Sequence, residues 1–265
     1  MRQRPRGDDR GILDPGRLRR QVRFRRRLPA PALLPYVEHY WLIDWTLPEP
    51  YEQRLVPHPA VNVVFHGNDD GPETAELAGV DTRLFSITLH GTGRASGAQF
   101  RPGGFRPFWR RPVAELTGLR QPLAGLGLPV PAGRIGAGTD DDRCRRLDAL
   151  LTGWSPEPDP VTAEVVALVE EIRVDRGVLR VDDFARRHDL NTRRLQRLFL
   201  DHVGIGPKWV IRRYRLQEAI ERAAVGPLDW ATLAADLGYA DQAHLVRDFT
   251  AVTGVSPAAY ARSLG

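Results

Sequence analysis

"GYADQAHLVRDFTAVTGVSP" spans Gly238–Pro257, and "HDLNTRRLQRLFLDHVGIGP" spans His188–Pro207. At an offset of 50 residues the two share Leu195/Leu245, Arg197/Arg247, Phe199/Phe249, Gly204/Gly254 and Pro207/Pro257. Ala185 and Ala235 match just upstream. Each copy predicts a short helix with a buried Ala, a tight turn, and a second helix that closes at Gly. That is the layout of a helix-turn-helix unit.

The second helix of each copy opens on a good N-cap, Asn191 or Asp241. In the first copy the helical period turns Leu195, Leu198 and Phe199 inward. Arg193, Gln196, Arg197 and Leu200 are left outside. Arg takes both acceptors of guanine and Gln pairs with adenine, so this stripe suits a major groove. In the second copy Leu245, Phe249 and Val252 turn inward. Ala243, Val246, Arg247 and Thr250 face out, with Gln242 at the helix start. Ala243 and Val246 suit thymine methyl groups, and Arg247 supplies the hydrogen-bonding contact. The bland alternative is self-pairing: Arg197 with Asp201 and Arg247 with Asp248 would make only a solvated face. Between the copies, Pro207–Ala224 reads as one helix of eighteen residues, about 27 Å long. Successive major grooves on one face of DNA lie about 34 Å apart, so this helix has the length of a spacer.

Net charge does not carry the same message. The chain of 265 residues is +5. Residues 1–27 hold eleven Arg and three Asp, a net of +8, which leaves −3 for the rest. Only local placement of charge argues for a nucleic-acid partner. Residues 1–28, with "RLRRQVRFRRR", read as an Arg-rich disordered tail. Such a tail either attracts DNA non-specifically or reflects a misassigned translation start.

Residues 29–155 read as a β-rich domain. "YVEHYWLIDW", "AVNVVFHG" and "RLFSITLHG" are strand-like, and "SGAQFRPGGFRPFW" reads as a turn around its Pro-Gly-Gly. "DDRCRRLDALLTG", Asp141–Gly153, has the spacing of an amphipathic helix. "GWSPEPDP", with three prolines in eight residues, marks the boundary. Residues 161–265 read as helical, with Val165, Leu168, Val169 and Ile172 on one stripe. The fold class is therefore α+β: a small β-rich domain followed by an all-α double helix-turn-helix domain.

Several chemistries lack support. No run of eighteen apolar residues exists, so no membrane span is expected. The single cysteine, Cys144, excludes an internal disulfide framework and points to the cytoplasm. His58, His66 and His90 sit in separate strand-like segments, so no metal is expected. No P-loop or dinucleotide-binding motif is present, and no cofactor is expected.

The C-terminal hundred residues resemble the AraC/XylS transcription regulators. "LNTRRLQRLFLDHVGIGPKWVIRRYRLQEAI" resembles their first helix-turn-helix unit and linker helix. "LAADLGYADQAHLVRDFTAVTGVSPAAY" resembles the second, including the Gly-Tyr-x-Asp-Gln-x-His run and the closing Gly-x-Ser-Pro. The resemblance implies a sequence-specific regulator that binds double-stranded DNA and is not an enzyme. By position it assigns base-edge contacts to Arg193, Gln196, Arg197, Gln242, Ala243 and Arg247. Phosphate contacts fall to Thr192, Arg194, Lys208 and His244. "LLPYVEHYW", "VPHPAVNVVF" and "GAQFRPGGF" resemble the N-terminal domains of one branch of the family. This implies a cupin-like domain that senses a small-molecule effector or mediates oligomerisation, as monomer or homodimer, with RNA polymerase as a further partner. Tyr40, Trp41, Trp45, Phe65, Phe100 and Phe105 are candidates for a pocket or simply for core. Arg101 and Arg106 are candidates for an anion site or a structural salt bridge. Some proteins with this module are alkyl-transfer DNA repair enzymes. Cys144 lacks the expected Pro-Cys-His-Arg run, although Arg143 and Arg145 beside it are expected to lower its pKa.

Overall fold

A computed structural model describes residues 11–68, 71–225 and 229–264. The first half is built on one antiparallel sheet. Helix α1 (Pro15–Gln21) leads into β1 (Val22–Arg27), followed by β2 (Val37–Leu55), β3 (Asn62–Asn68), β4 (Thr74–Ala78), β5 (Phe85–Phe100) and β6 (Arg120–Pro122). The order across the sheet is β1-β2-β5-β3-β4-β6. Among the described residues the strands form one six-stranded sheet, and the cupin-like expectation is not confirmed. Helix α2 (Arg106–Trp109) and α3 (Asp140–Gly153) complete this half.

Two expectations need correction. Residues 15–27 are not a disordered tail: they form α1 and the edge strand β1. Residues 1–10 lie outside the described ones. A strand as basic as Val-Arg-Phe-Arg-Arg-Arg is held by distant carboxylates. Arg23, Arg25 and Arg27 alternate onto one face and all reach Asp140, and Arg25 also pairs with Asp44. Those arginines hold the Asp140 carboxyl below its ordinary range, chiefly through the hydrogen bond from Arg25. Beneath them lies Arg143, 1% exposed. It donates from Nε to Ser96 Oγ at 2.8 Å, from Nη1 to Asp44 at 2.7 Å, and from Nη2 to the Ala95 carbonyl.

The second correction concerns β5, which runs through "GTGRASGAQF" to Phe100, so residues 96–100 are strand, while the turn itself stands over the Pro-Gly-Gly at 102–105. Glycine weakens a strand, and this one places Gly93 and Gly97 opposite Trp45 and Trp41. A Cβ would lie 2.4 Å from the Trp45 ring and 2.2 Å from the Trp41 ring. The glycines are there because the indoles lie across the strand.

The six aromatics divide between the two faces of the sheet. Tyr40, Phe65, Phe100 and Phe105 are core, packed with Leu147 and Leu151 of α3. Trp41 and Trp45 pack on the other face with Leu18 of α1. His39 of β2 is also buried, among Glu38, Arg26 and His58. Burial first, then the charge of Arg26, pulls its imidazole down to about 4. Below pH 6.5 the unfolded chain takes up a proton that the folded one refuses, so acid destabilises the fold. The expected cost is about 2 kcal/mol between pH 7.5 and pH 5. Urea midpoints of wild type and His39→Gln at both pH values check this. An identical pH dependence in the two proteins would exclude His39 as its source.

The second half is helical: α4 (Pro160–Val174), α5 (Val181–Arg187), α6 (Thr192–His202), α7 (Pro207–Val225), α8 (Trp230–Asp236), α9 (Gln242–Thr253) and α10 (Pro257–Leu264). Val165, Leu168, Val169 and Ile172 of α4 are buried on one stripe and join the core of α5, α6 and the start of α7. A second core joins the end of α7 to α8, α9 and α10, and takes in Leu13 and Val56 from the β-domain. The β-domain also grips both helix-turn-helix units at matching places. Thr117 Oγ1 donates to the Gly204 carbonyl at 2.7 Å, just past α6. Arg54 Nη2 donates to the Thr253 carbonyl at 2.7 Å, at the end of α9.

Candidate nucleic-acid interface

Local chemistry builds the second helix of each unit, α6 and α9, in the same way. The Asn191 side chain accepts the Arg194 N–H at 2.8 Å, and the Asp241 side chain accepts the His244 N–H at 2.6 Å. Both satisfy orphan donors of a first turn. Leu195, Phe199, Leu245 and Phe249 are all 0% exposed. The Leu190 N–H donates to the Ala185 carbonyl, and the Tyr239 N–H donates to the Ala234 carbonyl, both at 2.9 Å. Asp189 (φ 53°) and Gly238 (φ 67°) both take the left-handed conformation of a helix stop.

These pairs expose a slip in the repeat. Up to the turn the units align at an offset of 49, and after it at 50. Ala234, not Ala235, is the buried counterpart of Ala185: Ala234 is 1% exposed, whereas Ala235 is on the surface. The second turn is one residue longer.

On α6, Arg193, Gln196, Arg197 and Leu200 form one exposed stripe. It lines an open groove of about 620 Å³ together with Pro112, Leu198 and Asp201. On α9, Gln242, Ala243, Arg247 and Thr250 are exposed, while Val246 is half-buried. Self-pairing along the helices is not observed. Asp201 faces Arg106 at 3.4 Å and His202 at 3.3 Å, and Asp248 is taken by Arg212 of α7 at 2.6 Å. Among the described residues, no hydrogen bond or ion pair engages the side chains of Arg193, Arg197 or Arg247.

The other candidates divide. Arg194 and Lys208 are exposed at the starts of α6 and α7. The Thr192 hydroxyl donates to Asp182 at 2.9 Å, tying α6 to α5. His244 is half-buried, edge-on to Tyr239 with centroids 5.2 Å apart, and its Nε2 is 4.0 Å from Asp248. The Arg212–Asp248 pair escaped sequence reasoning. It locks α9 onto the linker helix across 36 positions, a separation that no local pattern signals.

In the β-domain, Arg101 donates to the Leu34 carbonyl at 2.8 Å. His58 faces Glu38 and Tyr214, and His66 faces Glu76. Among the described residues no cluster of His, Cys, Asp or Glu stands ready for a metal ion. No described helix is long and apolar enough to cross a membrane. Cys144 departs from expectation: burial pushes its thiol up to about 11, the reverse of activation. Arg143 is committed to Asp44 and does not serve the sulfur.

Known families match both halves. Residues 25–122 match a domain of unknown function (DUF6597), and residues 184–263 match a helix-turn-helix domain. No curated protein matches the chain. Among solved structures, the chain is similar to the C-terminal domain of AraT, a response regulator from Geobacillus stearothermophilus. That pair has 22% identity over 40% of this chain and 86% of that one, with a TM-score of 0.36. It is also similar to ToxT from Vibrio cholerae, at 11% identity over 91% and 98% of the two chains, with a TM-score of 0.40. A second ToxT structure, bound to (E)-4-(8-methylnaphthalen-1-yl)but-3-enoic acid, shows 12% identity over 92% and 99%, with a TM-score of 0.40. The family match makes residues 184–263 a helix-turn-helix domain of the AraC type, a DNA-binding module.

Proposed function

We propose that the protein reads a specific DNA sequence by setting α6 and α9 in successive major grooves of one duplex. One observation carries this reading. Two capped helices each present exposed Arg and Gln side chains whose neighbouring acids are engaged elsewhere. They are joined by a helix of 19 residues, about 28 Å long. Arg193, Gln196 and Arg197 read one half-site, and Gln242, Ala243 and Arg247 read the other. Arg194 and Lys208 hold phosphates. Thr192 and His244 stand at phosphate positions too, but their contacts within the fold make them positioning groups first. Reading takes place in the cytoplasm, without cofactor or metal. An effector acts through the β-domain, a role supported by its grip on the ends of both recognition helices.

Selection of genomic fragments by the purified protein at physiological salt tests this reading. Salt is held fixed because phosphate-driven affinity depends on it steeply. A bipartite motif with half-sites one helical turn apart is expected. Fragments with no common motif would overturn it. Arg197→Ala is expected to cost about 1–3 kcal/mol on the selected site and to relax one base step. Equal weakening on every sequence, measured by fluorescence anisotropy, would make Arg197 a phosphate contact instead.

A further inference from the structure

We propose that the β-domain itself touches DNA, through the phosphate-binding arginines Arg110 and Arg111 beside the first recognition helix. This rests on the reading of α6 as a groove-inserted helix. The placement comes from Pro112. It is exposed and forms a wall of the same groove as Arg193, Gln196, Arg197 and Leu200. The segment after it is fixed against α6. Val113 is 1% exposed, and a Cβ on Gly204 would lie 3.2 Å from it. The Thr117 hydroxyl bonds the Gly204 carbonyl. The major groove is about 12 Å wide. A segment packed along the flank of an inserted helix therefore meets the sugar-phosphate strand that walls the groove.

Arg110 and Arg111 stand next to that wall, and both are exposed. They are also held in place. Arg110 caps α2 at φ 60°, and its Nη2 donates to the Ser155 carbonyl at 3.0 Å. The Arg111 guanidinium lies over the Trp109 ring at 3.9 Å. Their acidic partners are solvent-exposed: Glu157 is 3.1 Å from Arg110, and Glu115 is 3.5 Å from Arg111. Exposed pairs of this kind are weak, so a phosphate displaces the carboxylate readily. A preordered guanidinium loses little freedom on binding.

The test uses the full chain, a duplex carrying the selected motif, and a scrambled duplex, titrated by anisotropy from low to physiological salt. Arg110→Asn removes the charge with a residue that tolerates positive φ, and Arg111→Gln keeps a polar stem. Each substitution is expected to flatten the slope of log affinity against log salt by about 0.9. Each is expected to weaken both duplexes equally, about fivefold near physiological salt, with the base preference intact. Melting curves confirm that the variants fold. Arg111→Glu, which leaves the left-handed residue untouched, is a third variant and is expected to weaken binding further. A wild type that binds while all variants keep its slope and affinity would overturn the proposal alone. So would tighter binding by the variants, which would make the segment an obstruction. A wild type that binds neither duplex would overturn the DNA reading together with this one.

Discussion

Asp44→Ala is expected to destabilise the β-domain by about 3–5 kcal/mol, the cost of leaving a buried charge without its partner. Arg143 is 1% exposed, and Asp44 is the carboxylate nearest to it, at 2.7 Å. Its other partners are neutral: Ser96 Oγ and the carbonyls of Ala95 and Ile43. The lost side chain is small, so the uncompensated guanidinium dominates over any cavity term. Arg25 loses one of its two carboxylates in the same change. Asp44→Asn keeps an acceptor without the charge and is expected to cost less. Chemical unfolding followed by circular dichroism and tryptophan fluorescence measures the loss; Trp41 and Trp45, two of the six tryptophans, lie on this sheet. A loss below about 1 kcal/mol, the level of an exposed pair, would mean that Asp140 neutralises Arg143 unaided.

Phe249→Ala is expected to cost about 3–5 kcal/mol, and to spend it in one place. Phe249 is 0% exposed. Its ring meets Trp230 edge-on at 5.6 Å and Tyr260 at 5.5 Å. Such aromatic pairs add about 0.5–1.5 kcal/mol each beyond buried area. The second unit is small, so this loss is comparable with all it has. Hydrogen exchange is expected to rise across residues 229–262 while α6 and the sheet stay protected. On DNA, protection of one half-site should vanish and the other remain. Uniform loss of protection over the whole chain would show that the two units and the β-domain unfold as one.

What sequence reasoning reached and missed follows the range of the forces involved. The recognition helices were legible because their determinants are local: an N-cap, a stripe at helical period, a glycine stop. The one-residue slip at Ala234 was hidden because two alanines stand side by side in "LAADLG", and only the turn's hydrogen bonds choose between them. Strand β1 was read as disordered because arginine density normally means solvation. Asp44 and Asp140, which neutralise it, lie 19 to 117 positions from the arginines they pair with. The first five residues of "SGAQFRPGGFRPFW" were read with the turn because its Pro-Gly-Gly breaks any regular element. The break does come there, at residues 102–105, but only after β5 has run to Phe100.

By itself the sequence determined a double helix-turn-helix with its inward and outward faces, since capping and periodicity act within a few residues. Only the tertiary structure decided which acids the outward arginines of α6 and α9 do not meet, because Asp201 and Asp248 found partners on other elements. It also decided that an arginine-rich terminus is an edge strand, since its charges become tolerable only where distant carboxylates are brought beside them.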